Sequence, residues 1–429
     1  MVGALALILL VILGAPLFAI IATSALIGFQ SEGIDLSVIA IEIYRIADTP
    51  VLLAIPLFTF AGYVLGESNS SQRLVRMTNA LLGWMPGGLA IVSLFACAFF
   101  TALTGASGAT IIALGAILYP AMKQAGYPER FNLGLITSSG SLGLLFPPSI
   151  ALILYGVIAQ QMNLDQPVAI DDLFIAGLLP GLLMLSLLVA WSMYKSIGEK
   201  IPTTEFDAKE LLSAFRESIW EIPLPIVLIG GIYSGYFAVS EAAAVAVMYV
   251  LIVDVVILRE VKLKQLPVIM RDSMVLVGGV LIILGVSLAS TNYLIDTEVP
   301  NRLFDFIREH VDSKLTFLIL LNIFLLVLGM ILDVFSALVI IVPLTLPIAV
   351  GYGIHPIHFG IIFLANMQIG YFTPPVGMNL FIASYRFKKP ITELYYATIP
   401  FMLILFIAVL IITYWPALTM SLLDLRDGS

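Results

Sequence analysis

Charged residues are scarce in this chain. They make up 11% of its 429 residues, against about 25% in a soluble domain, so water is not its main solvent. Cysteine is nearly absent: the single Cys97 excludes an internal disulfide and any cysteine-based metal site, and reads as a small buried apolar residue. The first apolar run, Val2 to Phe29, lacks both a basic flank and a clear small-residue cleavage site. It reads as a retained helix and not as a signal peptide. No stretch is polar enough to form a separate soluble domain.

Apolar sequence takes the place of what is missing. The chain is 60% hydrophobic with a mean hydropathy of +1.07, and stretches of about 20 apolar residues, enough to cross a bilayer, recur along it. The net charge of -8 suggests a basic partner, but with so few charges their placement is more informative than their sum.

Lys and Arg mark cytoplasmic loops. They cluster at Arg73 and Arg76; Lys123 and Arg130; Lys195, Lys200, Lys209 and Arg216; Arg259, Lys262, Lys264 and Arg271; and Arg386, Lys388 and Lys389. The connections around 30–48, 160–172 and 234–240 hold one basic residue, Arg45, and read as external. Spans then follow at 3–28, 50–66, 131–160, 173–194, 219–237, 240–258, 272–290, 359–384 and 396–420, with the N-terminus cytoplasmic and the C-terminus outside. The stretch 88–122 begins and ends among cytoplasmic charges and turns at Thr104-Gly105-Ala106-Ser107-Gly108. It reads as a re-entrant hairpin with arms of about 15 residues, short for a crossing. A second hairpin, 315–350, turns near Asp333-Val334-Phe335-Ser336 and enters from outside. The external loop 291–313 carries basic and acidic residues together.

Sliding the sequence on itself by 227 positions superposes Pro120 on Pro347, Gly126 on Gly353, Gly143 on Gly370 and Pro147-Pro148 on Pro374-Pro375, without a gap. Such coincidences mark a repeat, and the opposite entry of the two hairpins makes it an inverted one. Inverted repeats with paired broken helices are a hallmark of secondary transporters, which place their site between the breaks.

The candidate chemistry lies at those breaks. A Pro-Pro pair within a span removes donor N–H groups and releases the preceding carbonyls; neighbouring hydroxyls or a bound cation could satisfy them. Each hairpin turn is expected against the break of its own repeat. That unites Gly105, Ser107, Gly108, Pro147 and Ser149 in one Na+ site, and Gly329, Asp333, Ser336, Thr373 and Gly377 in a second. Helix N-termini beside these hard oxygen donors suit a carboxylate, with Ser107, Ser149, Asp333 and Asn379 as substrate candidates. Asp333 is the one acid deep in an apolar segment near a site, and it reads either as functional or as a helix cap. Glu241 and Asp254, nearer span ends, read as solvated or topological.

Two other classes are open to the same residues. Gly105-Ala106-Ser107-Gly108 resembles the nucleophile setting of an intramembrane serine protease, whose base would be His310, His355 or His358; these sit at external connections, away from Ser107, and a nucleophile needs its base within hydrogen-bond reach. A channel is the other class, though it does not require paired broken helices.

Leu103 to Pro120, Gly126-Tyr127-Pro128, Phe146-Pro147-Pro148-Ser149-Ile150 and Ile354 to Ala383, including TPPVGMNLFIA, carry a further resemblance. The whole chain resembles the large membrane subunit of tripartite ATP-independent periplasmic (TRAP) transporters, a family similar in architecture to the divalent-anion/sodium symporters. Thr104 and Ala106 depart from it, since many members have additional serines in that turn.

The resemblance implies an all-α polytopic protein with an elevator mechanism. Its expected divisions are scaffold helices over 1–87, a first transport repeat over 88–160, scaffold and arms over 161–314, a second transport repeat over 315–385 and a C-terminal helix over 386–429. It further implies coupling to inward Na+ with no organic cofactor and no enzyme activity, and a location in the bacterial inner membrane. The implied partners are a small four-helix membrane subunit, on a separate polypeptide because this chain begins at its first helix, and a periplasmic binding protein. That protein would deliver a C4-dicarboxylate, sialic acid, keto acid or similar organic acid. A stand-alone Na+/carboxylate symporter is the alternative.

Overall fold

The computed structural model describes residues 2–162, 164–199, 201 and 205–427. Every regular element among them is helical. Among the described residues seven helices are long and apolar enough to cross a membrane, or eight if one bent pair is a single span. Pro50–Glu67, Ile170–Gly198, Val239–Ile257, Leu266–Asp296 and Ile391–Tyr414 are five of the seven, and each overlaps a crossing read from hydropathy. Lys200, counted in a basic cluster, lies outside the described residues.

The first apolar run is not one helix. Val2–Ile12 and Leu17–Ser31 are separate, because Gly14 turns at φ +69° and Pro16 starts a new helix with no N–H to continue the old one. At 219–237 the chain forms only Pro223–Tyr233, 11 residues, well short of the about 20 that span a bilayer. The C-terminal stretch likewise divides into Ile391–Tyr414 and Ala417–Asp427, parted at Pro416. Arg426 ties that last helix to Asp171 at 3.3 Å and to Asp172.

Four stretches read as connections are amphipathic helices: Ser37–Ala47, Ser70–Leu82, Ala208–Glu217 and Val299–His310. Their apolar residues recur at helical spacing but are too few for a span. Ser70–Leu82 and Ala208–Glu217 are joined by Arg76, which donates to Glu210 at 2.9 Å and also meets Glu217.

Both hairpins are present as helix pairs. Gly88–Thr104 leads through Gly105, at φ +66°, into Ser107–Gln124; Lys314–Ile331 leads into Val334–Gly351. Their arms are 17 or 18 residues long, longer than the about 15 expected of re-entrant arms on length grounds, and both arms of the second hairpin satisfy the criteria for a crossing helix. Gly88–Thr104 is buried on almost every side, which explains why its sequence is apolar all round.

Two helices are interrupted. Glu129–Ser139 passes through a short turn at Leu142–Leu145 and Phe146-Pro147-Pro148 into Ile150–Gln161, bending by 42°. Pro356–Gly370 and Met378–Phe387 flank the second interruption. Both Pro-Pro bonds are cis. The core lies around these interrupted helices: Tyr155, Phe359, Phe363 and Phe372 are fully buried.

Candidate functional site

Each hairpin packs on the break that follows it in sequence. Beside the first break, Gly143 sits so close to the first hairpin that a Cβ there would stand 2.3 Å from the Ala102 nitrogen and 2.4 Å from the Ala98 oxygen. Beside the second, a Cβ on Gly370 would stand 2.5 Å from the Gly329 Cα. Only glycine allows such backbone approach. Thr101 Oγ1 donates to the Gly140 carbonyl at 2.8 Å, and the Val334 N–H donates to Tyr371 Oη at 2.7 Å. The breaks also touch each other: Ser141 Oγ donates to the Gln368 carbonyl at 3.0 Å, across 227 positions.

Of the residues proposed for the first site, Gly105 lies against the break, while Ser107 and Gly108 turn toward the other repeat. A Cβ on Gly105 would strike Ile150 at 2.5 Å, next to Ser149. Ser149 donates to the Leu144 carbonyl at 2.6 Å and accepts from the Leu152 N–H at 3.4 Å. It thus satisfies one released carbonyl and caps the second half-helix. Pro147 and Ser149 are buried. Ser107 faces the other repeat, donating to Asn379 Oδ1 at 2.9 Å, and Gly108 faces Ile382. Asn379 is fully buried; its amide also donates to the Thr137 carbonyl at 3.3 Å and its backbone N–H to the Tyr371 carbonyl at 2.8 Å. It therefore links both interrupted helices to the first hairpin turn, a contact that neither spacing nor hydropathy could reveal.

At the second site Asp333 is a helix cap. Its Oδ1 accepts from the N–H groups of Phe335 and Ser336, each at 3.0 Å, and Ser336 Oγ donates to its Oδ2. The turn accordingly falls at Leu332-Asp333, one step before the expected centre. Gly329 lies against Gly370, one turn of helix away from the tip. Thr373 Oγ1 donates to the Ile369 carbonyl at 2.8 Å, and a Cβ on Gly377 would stand 2.8 Å from the Tyr371 carbonyl and 2.9 Å from that of Thr373. Two carbonyls converge there, that of Tyr371 also accepting from the Asn379 N–H. Pro375 and Val376 are exposed, unlike their counterparts at the first break.

Several buried polar groups escaped the sequence reading. Gln368 is fully buried, with neither side-chain polar atom bonded. Asn366 donates to Asn322 Oδ1 at 2.7 Å, which also accepts from Thr413 at 3.2 Å. Single Asn and Gln residues in apolar helices were the available signal.

Asp254 corrects an expectation. It is 1% exposed and neither carboxylate oxygen has a partner, so it is not solvated. A π-helical turn at Leu251–Ile257, a type of distortion frequent at functional positions, carries it inward toward Arg73. That guanidinium binds Glu221 at 2.6 Å and also Glu260. Burial opposes ionisation of Glu260, yet Arg73 and the Asn69 N–H hold its carboxyl below the ordinary value. Asp254, Glu221, Ser70 and Thr104 of the first hairpin line one cavity of about 20 Å³, and Gly62 of Ala54–Glu67 presses on Thr104 and Leu103 beside it. Glu241, by contrast, is an exposed cap bonded to the Ala238 N–H at 2.9 Å.

No serine–histidine pair forms at the first hairpin turn. Ser107 is engaged by Asn379, while His358 bonds Thr419 at 3.0 Å, His310 meets the Phe306 carbonyl and His355 accepts from the Ile357 N–H.

Comparison with known proteins agrees with this architecture. Residues 3–418 match the family described as tripartite ATP-independent periplasmic transporter, DctM component. The chain is 34% identical over 385 residues to the C4-dicarboxylate TRAP transporter large permease protein DctM of Pseudomonas aeruginosa, covering 90% of this chain and 88% of that one. It is 30% identical to the ectoine TRAP transporter large permease protein TeaC of Halomonas elongata, covering 97% of each. It also spans 64% of the isethionate TRAP transporter permease protein DctMQ of Oleidesulfovibrio alaskensis, at 32% identity over 96% of its own length. In fold it is similar to the YdaH transporter of Alcanivorax borkumensis, with a TM-score of 0.65 and 16% identity over 90% of this chain and 88% of that one.

Proposed function

Because the chain belongs to the DctM family of TRAP transporter large permeases and is a transport protein, not an enzyme, we propose that it is a Na+-coupled importer of a small organic acid. It works by elevator alternating access within the inner membrane. One observation carries this reading: two interrupted helices, each set on the hairpin of its own half, meet at Ser141 and Gln368, positions 227 apart. Equivalent residues that touch must lie at the axis relating their repeats, and the Gly143–Ala102 and Gly370–Gly329 approaches repeat at the same offset. The inverted-repeat interpretation rests on these contacts.

Each hairpin with its break forms one half of the moving body, over 88–160 and 315–385. Helices of 1–87 and 161–314 form the scaffold, with 386–429 closing it. Carbonyls at Thr373 and Tyr371, hydroxyls at Ser107, Ser149 and Ser336, and the Asp333 carboxylate are hard oxygen donors that suit Na+. Half-helix N-termini at Ser149 and Gly377 supply the positive pole for a carboxylate. Relatives are named for C4-dicarboxylates, ectoine and isethionate, which supports a small organic acid as cargo; sialic acid belongs to that class.

A small membrane subunit and a periplasmic binding protein complete the transporter. The fused DctMQ relative supports the first of these. The test is uptake into proteoliposomes of the ligand held by the companion binding protein. Uptake is expected to require an inward Na+ gradient and all three components. Full-rate uptake of free substrate by this chain alone would replace the tripartite reading with a stand-alone symporter, and uncoupled ohmic current would remove the carrier reading.

A further inference from the structure

The structure assigns an anionic phospholipid headgroup to a pocket remote from the paired breaks, where Glu129–Ser139, the C-terminal end of Ile170–Gly198 and the first turns of Ile391–Tyr414 come together. The pocket has a volume of about 210 Å³ and is lined by Arg130, Lys195, Trp191 and Ser196 among apolar side chains. This placement does not depend on what the transporter carries.

Three observations point to a phosphate. Arg130 and Lys195 supply two positive charges, and neither is in an ion pair among the described residues; Lys195 stands 5.4 Å above the Trp191 ring. Trp191 Nε1 is a buried donor without a partner, and the Ser196 hydroxyl, beside Tyr127, is buried as well. Unsatisfied buried donors are costly unless something accepts from them. The N-terminus of Glu129–Ser139 adds the positive end of its helix dipole. Glu199, exposed at the rim, is the one opposing charge among the lining residues.

The rest of the pocket selects a lipid over a free ion. Phe131, Phe401 and Pro400 share the lining with the charged groups, offering acyl chains apolar contact. Trp191 and Tyr396 beside them have the amphipathic character of side chains at the membrane–water boundary. Basic pockets between transmembrane helices are a recurrent form of anionic-lipid recognition.

The experiment titrates the delipidated full chain in detergent with dioleoyl phosphatidylglycerol or dioleoyl phosphatidylcholine and reads adducts by native mass spectrometry. Phosphatidylglycerol is expected to bind more tightly, and Arg130→Gln with Lys195→Gln to weaken it about tenfold or more, while the surface control Lys209→Gln leaves it unchanged. Trp191→Phe keeps an aromatic face beside Lys195, removes the N–H and is expected to weaken binding severalfold; it serves as the deciding variant if the double substitution does not yield folded protein. Equal binding of the two lipids, or unchanged binding in the deciding variant, overturns the assignment. Displacement of the lipid by millimolar inorganic phosphate also overturns it, since the pocket would then take the free anion.

Discussion

Two of the buried polar clusters in this protein solve the problem of burial in opposite ways. Around Arg73 the solution is opposite charge: one guanidinium serves Glu221 and Glu260, with Asp254 close behind. Around the paired breaks the donors are mostly carbonyls, hydroxyls and amides, and the one carboxylate, Asp333, is occupied with its own helix end. A charge-paired cluster is held in place, because separating its members leaves an uncompensated charge in a low dielectric. Neutral oxygens can be shared with a passing cation and returned to the protein at little cost. The contrast separates a centre fixed by charge pairing from one whose oxygens are mostly neutral and open to sharing.

Removing the centre of the charged cluster is the most severe way to test that contrast. Arg73→Met strands two carboxylates and is expected to destabilise by about 3–5 kcal/mol, read as lost thermal stability in detergent. The wild-type cluster has a pH sign as well. Glu260 is held below its ordinary value, so its contribution is full at neutral pH and is lost as pH falls through the lowered value. A melting temperature that does not drop under acid would break the assignment.

Next in size are the close approaches that seat the hairpins on the breaks. Gly370→Val must move Gly329, whose Cα a Cβ would approach to 2.5 Å, and Gly143→Val must move Ala102. Each is expected to cost about 1–3 kcal/mol by overpacking. If the repeat interpretation holds, the two losses are similar; a loss at one position only would separate the halves.

Asp333 sharpens the comparison from the neutral side. Asp333→Asn retains a capping side chain, whereas Asp333→Ala loses the cap, at about 1 kcal/mol. Na+-driven uptake is expected to fall about tenfold or more in both, corresponding to about 1.4 kcal/mol of ion binding. Normal Na+ dependence in the Asn variant would leave Asp333 as a cap alone. The smallest effects belong to the hydroxyls: Ser149→Ala removes a cap and a carbonyl partner, for about 1 kcal/mol, and Thr373→Ala loses one bond back to the end of the preceding half-helix, for about 0.5 kcal/mol. A reversed order in uptake and stability would mean that the second break is the more constrained.

Much of this was legible because apolar length and helix breakers act locally. Five long spans and both hairpins follow from runs of apolar residues, and both interruptions follow from Pro-Pro pairs that no helix can accommodate. The misreadings have equally local causes. Gly14 and Pro16 divide a run that hydropathy alone joins, and Ser37–Ala47 or Val299–His310 form helices too polar to register as spans. Asp254 was read from its distance to a span end, but a π-turn redirects it.

The sequence by itself thus determined the membrane class, the family and the two places where helices stop. Tertiary structure decided the partners. Ser107 meets Asn379 across 272 positions, Ser141 meets Gln368, and Arg73 gathers carboxylates from two later segments. Local breaks are written in residue type because they depend on the torsions and donors of one or two residues. Which carbonyl or carboxylate a buried polar group finds depends on how whole helices pack, and packing in an apolar chain is carried by shape that no single residue specifies.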